Sequence, residues 1–442
     1  MKMENKKREP VKVLEELMAT KTPIRCDKNP VIQGLGICDP HIQLFEGKVY
    51  LYSGHDCNPD KSEFGTDRWT VWSTEDFVTW TPESFIFSDD FFMGKTTNAC
   101  WAADAAEANG RYYFYYSNLN VQTGVAVSDR PFGPFKDAES SPILDGTLTP
   151  TREYDPAIFK DVDGSAYIVF GAPAWCYGEG CGYYIAKLSE DMVTLAETPR
   201  YIELDHEGDD KPSLNRIGDK YYLTFSSFYA ISDNVYGPYH LLGNTGASAD
   251  HGSYLEWNGQ LFNCFTIYDP LCLYRAPGIC YVHQKANYEL VVDPMIVEYG
   301  VGQYDGNWNR IEAEWYMKIA GAAKKVENMR YGFDVEVSGG EEAAVGELCF
   351  PKIRNVRGKR GIALFTSCNC PEGAEIEVWQ TGAEEKLLGS CRVPVKRRHS
   401  WRSYRIANFL IDPLDLDTVD LKLVIRVNGK GSCRLDSFRF YP

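Results

Sequence analysis

The chain has 442 residues and a formal net charge of −16, with 62 acidic against 46 basic side chains. That length exceeds what one compact core holds and predicts two or three domains. The acidity argues against nucleic acid as the main partner. No apolar run is long enough to span a membrane, and a neutral partner such as an uncharged glycan suits the composition better. The charge is uneven. Arg310 to Pro442 carries 22 Lys+Arg against 18 Asp+Glu, leaving 24 against 44 in residues 1–309. This shift predicts a boundary near 305–310.

Residues 1–24 read as an extension. Within it Glu4–Lys21 is predicted helical, with Val11, Leu14, Leu17 and Met18 on one face. Its polar start has no apolar signal-like core, so a cytoplasmic location is expected. The 14 cysteines are scattered and read as reduced, small buried residues.

Residues 25–305 are organised by a repeat. Five segments share one template: DPHIQLFEGKVYLYSG from Asp39, WAADAAEANGRYYFYYS from Trp101, DPAIFKDVDGSAYIVFG from Asp155, DKPSLNRIGDKYYLTFS from Asp210 and HGSYLEWNGQLFNCFT from His251. A glycine follows each opening residue (Gly47, Gly110, Gly164, Gly218, Gly259), and an aromatic stands three positions after it (Tyr50, Tyr113, Tyr167, Tyr221, Phe262). Asn-Gly and Asp-Gly are hairpin turns, and the runs after them are rich in β-formers. The openings are 62, 54, 55 and 41 residues apart, which suits four-stranded propeller blades. The fold class predicted is therefore all-β, a five-bladed propeller. Its inner strands line one channel, so Asp39, Trp101, Asp155, Asp210 and His251 should converge there.

Three of those five are carboxylates. Glycoside hydrolysis needs one carboxylic acid to protonate the leaving oxygen and one carboxylate to activate water or attack the anomeric carbon. Asp39 and Asp155 are each followed by proline. Singly, Asp-Pro is an ordinary turn dipeptide, but recurrence at one register points to a shared site. Crowded carboxylates also raise at least one pKa, as a general acid requires.

Together the motifs CDPHIQLFEGKVYLYSGHD, WAADAAEANGRYYFYYS, GVAVSDRPFGPFKDA, YDPAIFKDVDGSAYIVFG, RIGDKYYLTFSS and DHGSYLEWNGQLF resemble glycoside hydrolase family 43, over about Asn29 to Pro294. The resemblance implies an inverting five-bladed propeller hydrolase of the β-xylosidase, α-L-arabinofuranosidase or galactosidase type. It implies that Asp39 is the general base, Asp155 the third carboxylate that tunes the acid, and Trp101 a pocket aromatic. Arg275 would contact sugar or acid, and His55 of GHD would bind substrate. His251 takes the place of the channel histidine that helps hold a structural calcium or water; a metal-free core histidine is the alternative. The chain departs from the family at the acid, which is usually Glu before Gly-Pro or Ala-Pro. Counting back from Tyr221-Tyr222 puts Asp210 there, one methylene short. Glu207 in HEGDDKPS serves instead if the residues after it bulge, and loss or change of activity is the third reading.

Residues 306–442 read as a β-sandwich. The ends RIEAEWYMK and GSCRLDSFRFYP resemble carbohydrate-binding module family 6. Such modules commonly carry Asn just before the last strand's Asp; here Cys433-Arg434 precede Leu435-Asp436. Trp379 and Trp401 are stacking or core residues. A role in packing or homo-oligomer formation is the alternative for this module. The leading reading is thus an exo-acting glycosidase on short plant-type oligosaccharides. Its rivals are a glycan-binding propeller without turnover and a protein-interaction propeller.

Overall fold

The computed structural model describes residues 10–57, 64–92, 94, 99–247, 250–268, 274–328, 332–382, 384–400 and 402–442. The chain divides into two compact units. One comprises the residues up to Leu255 with Phe262–Gln284 and Glu289–Gly300. The other comprises Glu256–Leu261, Lys285–Tyr288 and Val301–Pro442.

The first unit is built from five antiparallel sheets, each of four consecutive strands; the first sheet also takes in the short strand Ile24–Arg25 at its outer edge. The opening strands are Ile37–Phe45, Ala103–Ala108, Ala157–Lys160, Pro212–Ile217 and Gly252–Trp257. We refer to these as the inner strands of blades one to five of the propeller. The hairpin after the first, second and fifth inner strand turns through two left-handed residues: Glu46-Gly47, Asn109-Gly110 and Asn258-Gly259 have φ between 53° and 78°. That geometry matches the twist of the flanking strands.

The template aromatics explain how blades adhere. Tyr50, Tyr52 and Trp69 of blade one pack with Tyr112, Phe114 and Tyr116 of blade two. Tyr113 of blade two joins Ile158, Ile168 and Phe170 of blade three, and Tyr167 of blade three joins Leu214, Leu223 and Phe225 of blade four. Blade five meets blade one through its template aromatic Phe262, 4.6 Å from Phe77 between ring centroids, and through polar bonds. The Asn29 side chain donates to the Ile279 carbonyl at 3.0 Å and accepts from its N–H at 3.0 Å, and the Ile42 N–H donates to Ser253 Oγ at 2.9 Å. The helix Pro10–Thr20 buries Leu14 and Met18.

The second unit holds two antiparallel sheets. Strands Phe333–Gly339, Gly431–Tyr441 and Gly361–Cys368 centre one; Ala344–Arg354, Thr418–Val427 and Ala374–Thr381 centre the other. Thr418–Val427 alternates buried with half-buried residues, as expected of a strand with one face on a core. Phe350 and Phe438 meet edge-on between the sheets, centroids 4.9 Å apart. Trp379 is half-buried, its Nε1 donating to Glu377 at 2.9 Å; Trp401 lies outside the described residues. The thirteen described cysteines are free thiols.

Candidate active site

The residues that open the five templates sit at equivalent places. Asp39 lies near the start of its inner strand, Trp101, Asp155 and Asp210 two residues before theirs, and His251 one before. Asp39 and Asp155 have left-handed backbones, φ 50° and 54°. A residue before proline avoids helical geometry, and a side chain with a Cβ resists the left-handed region at a cost of order 1–3 kcal/mol. Surrounding structure enforces both conformations. A register break between Cys38 and His41 re-aims Asp39, and Ser117 Oγ accepts the Asp155 N–H at 2.9 Å.

His251 stands between the carboxylates. Its Nδ1 is 2.7 Å from Asp250 Oδ1 and 3.2 Å from Asp39 Oδ1, and its Nε2 is 3.3 Å from Asp155 Oδ2 and 3.6 Å from Asp210 Oδ1. Burial opposes charging this ring, yet the carboxylates of Asp210, Asp39 and Asp250 win and hold its pKa well above the ordinary value. Carboxyl groups thus stand at both ring nitrogens. The Asp39 and Asp210 carboxyls approach opposite nitrogens of one ring, at 3.2 and 3.6 Å.

Arg275 neutralises the other side. Its Nε and Nη2 fork onto Asp56 at 3.1 and 2.9 Å, while Nη1 reaches Asp39 and, at 2.8 Å, Asp250. It is 4% exposed. Its polar edge is thus turned to carboxylates, and Phe64 covers its face, 4.7 Å from guanidinium carbon to ring centroid. Asp39, also buried, has its pKa raised by burial, with Arg275 and then His251 pulling it back down.

Asp210 behaves oppositely. Burial drives its pKa well up; a hydrogen bond to Asp250 and the charges of Asp250 and Asp155 add to this against the His251 cation. Asp250 is held well below its usual range, burial notwithstanding, by the His251 charge and by accepting from Asp210. Of this pair Asp210 is pushed toward its protonated form and Asp250 toward its ionised one. Its side chain nevertheless keeps 37% of its surface open, so a substrate oxygen can reach it. The strand Pro212–Ile217 pairs with Lys220–Phe225 without a register shift, which seats Asp210 two residues before the ladder. The Tyr183 hydroxyl accepts the Asp209 N–H at 2.8 Å and lies against the carbonyls of Asp209 and Asp210, clamping this entry. Glu207 is exposed and stands outside the cluster.

Trp101 is half-buried, its carbonyl accepting from Trp69 Nε1 at 2.7 Å. His55 is 1% exposed and bonds Asp67 through Nδ1 at 2.7 Å; that places it in the wall of blade one, where Asp67 orients it. Sequence reasoning passed over Asp56, Asp250, Asp104, His41 and Lys211, all buried. Asp56 and Asp250 adjoin the recognised His55 and His251, which was the available signal.

Among the described residues, two groups offer metal-ligand atoms within 4.8 Å of one another: Asp39, Asp250 and His251, and Asp155, Asp210 and His251. Calcium takes six to eight oxygens. Here the shared member offers a ring nitrogen rather than an oxygen, and the guanidinium of Arg275 already occupies the first group's carboxylates. A divalent ion in the second group would ionise Asp210. The donors of both groups satisfy one another and fit calcium poorly.

Residues 27–260 match the family model of glycosyl hydrolases family 43. The chain belongs to this family. It is a glycoside hydrolase. It is 28% identical over 275 residues to a xylosidase/arabinosidase of Bacteroides ovatus, covering 49% of this chain and 80% of that one. It is 27% identical to a β-D-galactofuranosidase of Aspergillus niger, covering 56% and 77%. Among solved structures, a family 43 β-xylosidase/α-arabinofuranosidase from a compost metagenome, bound to xylotriose in a calcium-free form, superposes with TM-score 0.53 at 26% identity, over 61% of this chain and 98% of that one. An arabinoxylan arabinofuranohydrolase of Bacillus subtilis in complex with cellotetraose covers 93% of this chain and 97% of its own, with TM-score 0.53. At 19% identity that likeness shows the fold alone.

Proposed function

We propose that this family 43 hydrolase is an inverting, exo-acting glycosidase that removes a terminal pentose such as xylose or arabinose from short plant-type oligosaccharides. The observation that carries the reading is the pair of opposed carboxyls across His251: Asp210 protonated and open, Asp39 enclosed and bonded to two cations. Asp210 protonates the leaving oxygen. Asp39 takes a proton from water as the water attacks the anomeric carbon. Asp155 and Asp250 fix His251 and, by their charge, keep the Asp210 proton in place. No metal enters these steps. Trp101 offers a face for the sugar ring. Trp175, 60% exposed, donates through Nε1 to the Gly208 carbonyl at 3.3 Å, two residues before Asp210, and offers a platform for the leaving sugar. The names of the relatives support a xylose- or arabinose-type substrate, and the free thiols suit a reducing compartment.

The test is a comparison of leaving groups. Asp210→Asn should lower kcat on xylobiose or an arabino-oligosaccharide by about 10²–10⁴-fold, and much less on an aryl glycoside whose leaving group needs no proton. Asp39→Asn should lose both substrates equally, and Glu207→Gln should keep both. Proton NMR of the first product should show the inverted anomer. Full hydrolysis by Asp210→Asn, or a retained anomer, would refute the assignment.

A further inference from the structure

The axis of the propeller contains a cation that the catalytic reading does not use. Lys211 immediately precedes the fourth inner strand, next to Asp210, and is 2% exposed. Its Nζ lies 3.0 Å from His41 Nδ1 on blade one and 3.3 Å from the Ala103 carbonyl on blade two. Burial lowers the Lys211 pKa, while the charges of Asp104, Asp155, Asp39 and Asp210 oppose it; as an ammonium it has three donors and no acceptor, which makes His41 Nδ1 the accepting nitrogen. Burial, and the charges of Lys211 and His251, accordingly hold His41 neutral. Its proton then sits on Nε2, 3.1 Å from Asp104 Oδ2.

Asp104 is fully buried and closes the chain of bonds. Its Oδ2 also accepts the Ile158 N–H of blade three at 2.6 Å, and its Oδ1 accepts from Gln43 of blade one and from its own neighbour Ala105, at 2.9 and 2.6 Å. One continuous network therefore runs from Lys211 on blade four through His41 on blade one and Asp104 on blade two to blade three. The Ile42–Ser253 bond brings in blade five. The atoms around Nζ, an imidazole nitrogen and a carbonyl, are what an ammonium needs and are far from the oxygen cage a calcium ion needs.

We propose that the Lys211 ammonium is the axial cation of this propeller: it performs the cross-blade bridging and charge balance of a divalent ion, so that the protein folds and works without calcium. This inference does not rest on which carboxyl is the acid, and its readout is stability rather than turnover.

The experiment uses the full chain. Wild-type protein is dialysed against excess EDTA, its metal content measured by plasma mass spectrometry, and its Tm recorded with EDTA and with added calcium chloride. The expected result is no bound metal and a Tm that neither chelator nor calcium moves. Lys211→Met keeps the volume and removes the charge; its Tm should fall by roughly 10 °C without calcium rescue. Lys211→Ala removes the volume as well, and its Tm should fall at least as far, again without calcium rescue. A wild-type Tm that falls on chelation and returns with calcium overturns the proposal, as does a Lys211→Met variant that melts with the wild type. Should neither variant fold, the wild-type comparison decides alone.

Discussion

Replacing Arg275 by methionine keeps most of its volume and removes the one cation that touches Asp39, Asp56 and Asp250 together. The guanidinium is buried, so solvent does not replace it, and three carboxylates lose a partner at once. Breaking a buried ion pair from one side costs about 3–5 kcal/mol. At about 2–4 °C per kcal/mol for a domain of this size class, the Tm should fall by roughly 10 °C. A purely structural arginine would do no more than that. The second readout separates the roles. Burial already raises the Asp39 carboxyl, and Arg275 is the largest influence that lowers it, so its loss must raise Asp39 further. On the proposed assignment Asp39 is the base and acts only when ionised, hence the acidic limb of the kcat/KM profile should move to higher pH. The assay is kcat/KM against pH on a nitrophenyl pentoside, with calorimetry on the same preparation. A fallen Tm with an unmoved acidic limb would refute the argument that Arg275 tunes the base.

Asp210→Asn should also stabilise the protein in a pH-dependent way. A carboxyl whose folded pKa is raised gives its full stability below its ordinary value near 3.8 and loses it as pH rises through the folded value. Asparagine cannot ionise, so the Tm difference, variant minus wild type, should be small near pH 4 and grow positive toward about pH 8; a variant that melts lower at the alkaline end would contradict this. His251 obeys the same sign: its charge supports the fold below its ordinary value near 6.5 and is lost above its raised folded value, so His251→Gln should narrow its Tm deficit at alkaline pH in calorimetry. Tyr183→Phe removes the clamp on the Asp210 entry and should lower kcat about tenfold with little change in KM, because misplacement by a fraction of an ångström already costs rate; an unchanged kcat would count against it. Trp175→Ala should raise KM for a disaccharide about tenfold and leave KM for an aryl pentoside nearly unchanged; equal losses on both would remove Trp175 from the leaving-sugar platform.

The five-sheet architecture was legible because its signal is local. Each blade repeats a turn with glycine and an aromatic three residues on, and those aromatics are the glue between neighbouring blades. The convergence of Asp39, Asp155, Asp210 and His251 followed from register alone. Lys211 did not announce itself, since Asp-Asp-Lys after Glu-Gly reads as a solvated polar run, and only the third dimension turns that lysine inward. Asp104 hid for the same reason inside an alanine-rich strand whose neighbours suggested nothing polar. Arg275 was noticed, but the sequence offered no way to see that its partners would be three carboxylates from blades one and five. The contrast between Asp210 and Glu207 needed the fold as well: they stand three positions apart, and one lies half-buried beside His251 while the other faces solvent.

The left-handed backbones of Asp39 and Asp155 bear on how inactive forms of this enzyme should be made for trapping oligosaccharides. Alanine is the customary blank, yet at these two positions its Cβ would sit in the same disfavoured conformation without the polar group that tolerates it best. An alanine variant would mix a folding defect with the missing chemistry. Asparagine accepts that conformation more readily than other residues with side chains and matches aspartate in size. For crystallography with intact substrate, Asp39→Asn is therefore the cleaner trap.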